Sequence, residues 1–172
     1  GEVRLVQGEI TKAAELFKEV LRHEPGSGAA LDKLTEIMVN LGKIEEAEEY
    51  LQQHIARNPD QAYPLARLGQ ILRHDGRYQE AIDAYKRSLD IKPNKPSIYA
   101  ALAGIYKKLD EPDKAIAMYD KGLSQVPDSI ELLLRRAEIY ESLSRYEAAA
   151  ESYEKALSIQ PGHKGAANNL AM

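Results

Sequence analysis

The residues that could perform chemistry in this sequence are four histidines and several closely spaced carboxylates. No histidine has a second one at the spacing of metal ligands, so we expect no bound metal ion. The pairs Glu45–Glu46 and Glu48–Glu49 fit a solvated helix face better than a general acid and base. We therefore predict no catalytic and no metal-binding residue. The histidines are His23, His54, His74 and His163.

Sequence signatures of catalysis and cofactor binding are also missing. The chain contains no G-x-x-x-x-G-K-[ST], no G-x-G-x-x-G, no H-E-x-x-H and no cysteine. We predict that it is not an enzyme and that it binds no cofactor. The net charge of −4 argues against a nucleic acid partner, and no apolar run is long enough for membrane insertion. The compartment, cytoplasmic or periplasmic, stays open.

The elements that position the remaining side chains follow from a repeat. Five prolines succeed one another at intervals of 34 residues, which is the period of a solenoid. Each is followed by Gly, Asp or Asn, so each marks the end of one helix and the start of the next. The prolines are Pro25, Pro59, Pro93, Pro127 and Pro161.

Apolar residues between these prolines recur at helical spacing in two blocks. After Pro59, a block from Leu65 to Leu72 is separated by Gly76 from a block from Tyr78 to Leu89. Steps of three, four and seven residues put each block on one helix face, which predicts two antiparallel helices per repeat. The predicted pairs are 28–41 with 44–57, 62–75 with 78–91, 96–109 with 112–125, and 130–143 with 146–159.

Two positions of the repeat indicate how the helices pack. With the proline as position 32, position 20 is always alanine, which fits a close helix crossing, and position 24 is always large. These positions read Ala13, Ala47, Ala81, Ala115, Ala149 and Phe17, Leu51, Tyr85, Tyr119, Tyr153. The pattern resembles the tetratricopeptide repeat over the whole chain. The resemblance implies an all-α fold, a right-handed superhelical solenoid of antiparallel helix pairs, and a role as a protein-binding adaptor or scaffold.

In this register the chain is a single array whose ends fall midway along a helix, so we expect a piece of a longer array. His54 and Arg136 depart from the pattern, since the other repeats have small or apolar residues there. Most of the ten tyrosines, Tyr146 among them, are expected to be core residues. The predicted segments are a partial repeat at 1–27, repeats at 28–61, 62–95, 96–129 and 130–163, and the start of a further repeat at 164–172.

The resemblance also implies a binding groove, because the first helix of each tetratricopeptide repeat lines the concave face. In the third and fourth repeats these positions carry four cations, one histidine and no acid. Because arginine binds carboxylates bidentately, we expect an extended acidic partner segment. The family's clamp for chaperone tails does not match, since Asp32 and Glu36 stand where Lys and Asn would be required. The predicted groove residues are Tyr63, Arg67, Gln70, Arg73, His74, Ala101, Gly104, Lys107, Lys108 and Arg135.

Two other roles stay open at this point. One is a structural scaffold that forms homo-oligomers through its ends. The other is a docking or regulatory arm of an enzyme whose catalytic domain lies outside this chain. The groove charges also have a plainer interpretation, as ordinary solvated residues on an exposed helix face.

Overall fold

A computed structural model describes the backbone of residues 2–170 and the side chains of residues 8–170. This part of the chain forms ten α-helices and no β-strand. All eight helices predicted between residues 28 and 159 are present, with bounds that agree to within one residue. The helices are α1 (Glu2–His23), α2 (Gly28–Asn40), α3 (Ile44–Arg57), α4 (Ala62–His74), α5 (Tyr78–Ile91), α6 (Pro96–Lys108), α7 (Pro112–Gln125), α8 (Ile130–Ser142), α9 (Tyr146–Ile159) and α10 (Lys164–Leu170).

The chain divides into two compact units, Gly1–Ile91 and Lys92–Met172. In the first unit α4 packs on α5 and also contacts α2 and α3. In the second unit α6 packs on α7, α8 packs on α9, and α8 also contacts α6 and α7. Short turns between the paired helices make them antiparallel. The all-α class and the helix-pair organisation predicted from the repeat are therefore confirmed.

The repeated alanine is buried in four pairs, as expected for a close helix crossing. The alanines and the large residues four positions later are all buried: Ala47, Ala81, Ala115, Ala149, Leu51, Tyr85, Tyr119 and Tyr153. In α1 the corresponding Ala13 and Phe17 are only half-buried. Burial raises the pKa of the Tyr119 hydroxyl to about 12, against the opposing charge of Arg135. The repeated alanine and its large partner are therefore correctly predicted as core positions of α3, α5, α7 and α9.

The turn inside each helix pair requires one residue in the left-handed region. In the first unit this residue is Gly42 or Gly76, with φ of 72° and 80°, and in the second it is Asp110 or Ser144, with φ of 58° and 55°. Backbone hydrogen bonds close each turn, such as the Arg77 N–H donating to the Leu72 carbonyl at 2.9 Å. Glycine adopts this conformation without a steric cost, whereas a residue with a Cβ does not.

Two local features depart from the repeat. Gly8 occupies the repeat position at which Gly42 and Gly76 form turns, but α1 runs without a break from Glu2 to His23. A glycine inside a helix costs only about 1 kcal/mol relative to alanine, so it does not by itself end a helix. Tyr146 is 64% exposed and is not a core residue, because it is the first residue of α9 and its ring lies at the margin of the pair.

The two departures from the repeat are accommodated by polar partners. His54 is buried, and its Nε2 atom lies 3.3 Å from Gln61 Oε1. Arg136 Nε donates to Ser152 Oγ at 3.2 Å, and its guanidinium forms an ion pair with Asp120. Among the described side chains, no buried nitrogen or oxygen lacks a hydrogen-bond partner. Both polar substitutions are therefore compatible with the packed pairs.

Candidate functional site

The groove residues predicted in the third repeat lie on α4, and Arg67 has the most partners among them. Its Nε donates to Thr35 Oγ1 on α2 at 2.8 Å, and its Nη1 donates to Gln70 Oε1 at 2.8 Å. The same Nη1 lies 3.2 Å from Asp32 Oδ1, also on α2, and only 12% of the arginine side chain is exposed. Arg67 therefore joins the first helices of two consecutive repeats, and a carboxylate of the chain already balances its charge.

Tyr63 lies beside this cluster. Its side chain is 44% exposed, and its ring covers Gly28, where an added Cβ would be 3.4 Å from Tyr63 Cδ1. Burial raises the pKa of the Tyr63 hydroxyl, and the charge and hydrogen bond of Asp32 raise it further. Tyr63 thus presents part of its ring to solvent, while its hydroxyl lies near Asp32.

Arg73 and His74 occupy the last turn of α4, and both are exposed. Burial raises the pKa of the nearby Tyr85 hydroxyl, and the charge and hydrogen bond of Arg73 partly oppose this. Cations at this end of a helix also meet the partial negative charge of the free carbonyls. Arg73 therefore already has favourable contacts within its own helix pair.

The groove residues predicted in the fourth repeat lie on α6, in the second unit. Lys107 and Lys108 occupy its last turn, where both are exposed, and neither has an ion-pair partner among the described residues. Ala101 and Gly104, two turns and one turn earlier, are half-buried. A Cβ added at Gly104 would meet no atom within 4 Å, so the space above its backbone is open. We refer to Ala101, Gly104, Lys107 and Lys108 as the α6 patch.

Arg135 lies on α8, which contacts α6 within the second unit. Its Nη1 donates to Glu138 Oε2 at 3.4 Å, and both side chains are largely exposed. Glu131 and Glu141 belong to the same helix, so α8 carries three acids where its predicted groove position supplies one cation. The unbalanced positive charge of this unit's groove residues is therefore confined to the α6 patch.

The ten predicted residues divide between the two compact units. Tyr63, Arg67 and Gln70 form one cluster on α4, and the α6 patch forms another; Arg73, His74 and Arg135 stand apart. Sequence reasoning missed Thr35 and Asp32 as partners of Arg67. The sequence spacing could have indicated this contact, because Thr35 precedes Arg67 by 32 residues, close to one repeat length. Such positions face each other on consecutive first helices.

Metal and membrane features are absent from the described part of the chain. Among the described side chains, those of residues 8–170, no three from His, Cys, Asp or Glu converge in a way that would hold a metal ion. No helix in that part of the chain has both the length and the apolar character needed to cross a bilayer.

Several solved structures resemble this one. MamA has a TM-score of 0.69 at 26% identity, and the alignment covers 94% of each chain. TTC0263, a tetratricopeptide protein of Thermus thermophilus, has a TM-score of 0.64 at 25% identity, covering 98% of this chain and 93% of its own. The first tetratricopeptide domain of Spaghetti (RPAP3), bound to the HSP90 peptide SRMEEVD, has a TM-score of 0.55 at 26% identity, covering 64% and 88%. No curated protein matches the sequence.

Family models lead to the same result as the structures. Three models of the tetratricopeptide repeat match residues 39–96, 72–139 and 130–163, so that matched segments extend from the second repeat to the fifth. These matches agree with the helix pairs and with the burial of the repeated alanine and its large partner. The chain therefore belongs to the tetratricopeptide repeat family, whose members are in general non-catalytic protein–protein interaction scaffolds.

Proposed function

We propose that this chain binds an acidic segment of a partner protein, and that the α6 patch is the main contact for the partner's carboxylates. The observation that carries the proposal is the state of Lys107 and Lys108. Both are exposed and have no ion-pair partner among the described residues, in a chain whose net charge is −4. Unbalanced cations on the predicted binding face favour an anionic partner.

A comparison among the groove cations supports this choice. Arg67 would have to give up Asp32, Thr35 and Gln70 before it could bind a partner's carboxylate. Such an exchange replaces existing charge-assisted hydrogen bonds with equivalent ones and gains little free energy. Lys107 and Lys108 have no such bonds to lose, so a new carboxylate contact there is a net gain.

The shape of the α6 patch suits an extended segment. Ala101 and Gly104 lack bulk, and the open space above Gly104 allows a partner's backbone to approach the helix closely. The lysines one turn further on are then within reach of side chains on that segment. The RPAP3 domain gives an example in the family, because the peptide named in its complex, SRMEEVD, contains three acidic residues.

The experiment is partner capture from native extract with three forms of the chain, quantified by mass spectrometry. The test variant is Lys107→Glu/Lys108→Glu. The matched control is Lys121→Glu/Lys155→Glu, which makes the same charge change at exposed lysines on α7 and α9. We expect the control to recover the same partner as the native chain. The test variant should lose about tenfold or more, since each exposed charge contact contributes roughly 0.2–1 kcal/mol and reversal also adds repulsion.

Equal recovery by the two variants would contradict the assignment of the α6 patch. The acidity of the partner is tested separately, by replacing Glu and Asp with Gln and Asn in the captured segment. Sedimentation over a wide concentration range addresses the alternative of a self-assembling scaffold. A concentration-dependent increase in mass that survives charge reversal on α6 would favour assembly through another surface.

A further inference from the structure

A cavity of about 270 Å³ lies within the first unit, between the C-terminal half of α1 and α3. It is separate from the predicted groove residues, which lie on first helices of the repeats, whereas α1 and α3 carry the second-helix positions. Leu21, Pro25 and the ring of Tyr50 supply apolar walls, and Arg22, His54 and Arg57 supply polar ones. We refer to this cavity as the arginine pocket.

The polar residues of the arginine pocket are departures from the repeat. At the positions of Tyr50 and His54, the next repeat has the smaller Ala84 and Ser88, which are both buried. Arg22 and Arg57 form a pair of cations that no later pair of repeats has. The equivalent residues one, two and three repeats later are Ala56 with Ile91, Asp90 with Gln125, and Ser124 with Ile159. Two cations at one cleft are therefore not a requirement of repeat packing, which indicates a specific use of this cavity.

The charges around the arginine pocket are one-sided. Arg22 and Arg57 are exposed and have no ion-pair partner among the described residues, and no acidic side chain lines the cavity. The carboxylate of Glu15 is close enough to feel the charge of Arg22, but Lys18 Nζ binds it at 2.8 Å. Burial raises the pKa of the Tyr50 hydroxyl, and the charges of Lys18, Arg57 and Arg22 partly oppose this, so all three cations lie near this tyrosine.

The other polar groups of the pocket are positioned by the chain itself. Asn58 Nδ2 donates to the His54 carbonyl at 3.1 Å, and the imidazole Nε2 lies 3.3 Å from Gln61 Oε1. His54 is therefore fixed by its neighbours, and its buried ring forms part of the wall. The two arginines, in contrast, have donors to offer, and a guanidinium presents five N–H groups in a planar fork.

We infer that the arginine pocket binds an anionic group carried on a small apolar body, with Arg22 and Arg57 holding the anion against the walls of Leu21, Pro25 and Tyr50. Carboxylates and phosphates share the geometry that the arginine fork recognises. The volume is slightly below the roughly 300–1,000 Å³ of sites for drug-sized ligands. One side chain, one chain terminus or one small acid is therefore the right size.

The test is a titration of the isotope-labelled full chain, followed by the NMR signals of the Tyr50 and His54 rings and the Leu21 methyl groups. The ligands are phenylphosphate, phenylacetate and benzyl alcohol, which share one aromatic body and differ in charge. The variants are Arg22→Gln and Arg57→Gln. The matched control is Arg87→Gln, at an exposed arginine of α5 that does not line the cavity.

We expect saturable shifts of the pocket signals with one or both anions and none with benzyl alcohol. Each pocket variant should weaken that binding about tenfold, while the Arg87→Gln control should bind like the native chain. The stronger of the two anions identifies phosphate or carboxylate as the preferred group. Equal binding of benzyl alcohol, equal binding by the pocket variants, or no saturable shift with either anion would overturn the inference. Thermal melting of each variant shows that a loss of binding is not a loss of folding.

Discussion

The first helices of the third and fourth repeats, α4 and α6, carry cations that serve different purposes. On α4, Arg67 is 12% exposed and bound to Asp32 and Thr35 of the preceding repeat. On α6, Lys107 and Lys108 are exposed and have no ion-pair partner within the described part of the chain. A cation on a predicted binding face therefore supports ligand binding only where the chain itself does not already pair the charge.

The turns inside the helix pairs also differ between the first unit, which contains α4, and the second unit, which contains α6. Glycine supplies the left-handed residue at Gly42 and Gly76 in the first unit, whereas Asp110 and Ser144 supply it in the second. The backbone geometry is the same in all four turns although the residue type is not, because similar hydrogen bonds close them. Steric strain at Asp110 and at Ser144 therefore costs the second unit roughly 1–2 kcal/mol per turn, whereas glycine avoids this strain in the first unit.

The largest effect is expected in the core of the second unit. Replacement of Tyr119 by alanine should destabilise the chain by about 3–5 kcal/mol, because the buried ring fills the gap between α7 and its neighbours. Ala115→Leu should cost about 1–3 kcal/mol, because the close crossing at this fully buried alanine has no room for the added atoms. Urea denaturation followed by circular dichroism measures both. A neutral Ala115→Leu variant would show that the repeat register is wrong.

The contrast between paired and unpaired cations gives the next prediction. Arg67→Ala should destabilise the chain by about 1–3 kcal/mol, because buried Thr35 loses a donor and Asp32 loses its counter-charge. Lys107→Ala should change stability by less than about 0.5 kcal/mol, as expected for an exposed residue without partners. Arg67→Lys is the matched control, because it keeps the charge but not the guanidinium fork. Equal changes in the free energy of unfolding for Arg67→Ala and Lys107→Ala would show that the cations of α4 and α6 do not differ as described.

The smallest effects are expected at the turns. Gly76→Ala should destabilise the chain by about 1 kcal/mol, because alanine is strained at a φ of 80°. Ser144→Gly should be neutral or stabilising by up to about 1 kcal/mol, since release of the strain at a φ of 55° competes with the greater flexibility of glycine in the unfolded chain. Differential scanning calorimetry measures both. Equal destabilisation by the two substitutions would contradict the difference between the turns.

Most of the fold could be predicted because the same sequence pattern recurs in each helix pair. Proline and turn residues set the helix ends, and alanine at position 20 with a large residue four positions later sets the packing. Because the pattern occurs five times, an ambiguous helix boundary in one copy is resolved by the equivalent residues of the others. The exception is α1, which runs unbroken through Gly8, the repeat position at which Gly42 and Gly76 form turns.

Much less of the candidate site could be predicted, because side-chain pairing depends on neighbouring repeats. The sequence shows that Arg67 and Lys107 occupy groove positions, but their difference arises from Asp32 and Thr35, which lie one helix away from Arg67. The arginine pocket escaped prediction for the same reason. Arg22 and Arg57 are 35 positions apart, and only the packing of the first unit brings them to one cavity.

The most direct test of the central claim is lysine footprinting of the captured complex. Exposed lysines are acetylated in the free chain and in the complex, and the extent of modification at each lysine is compared by mass spectrometry. We predict that Lys107 and Lys108 become protected when the partner binds, while Lys121 and Lys155 on α7 and α9 react as before. Unchanged reactivity at Lys107 and Lys108, with protection at Lys121 or Lys155 instead, would show that the partner binds another face of the chain.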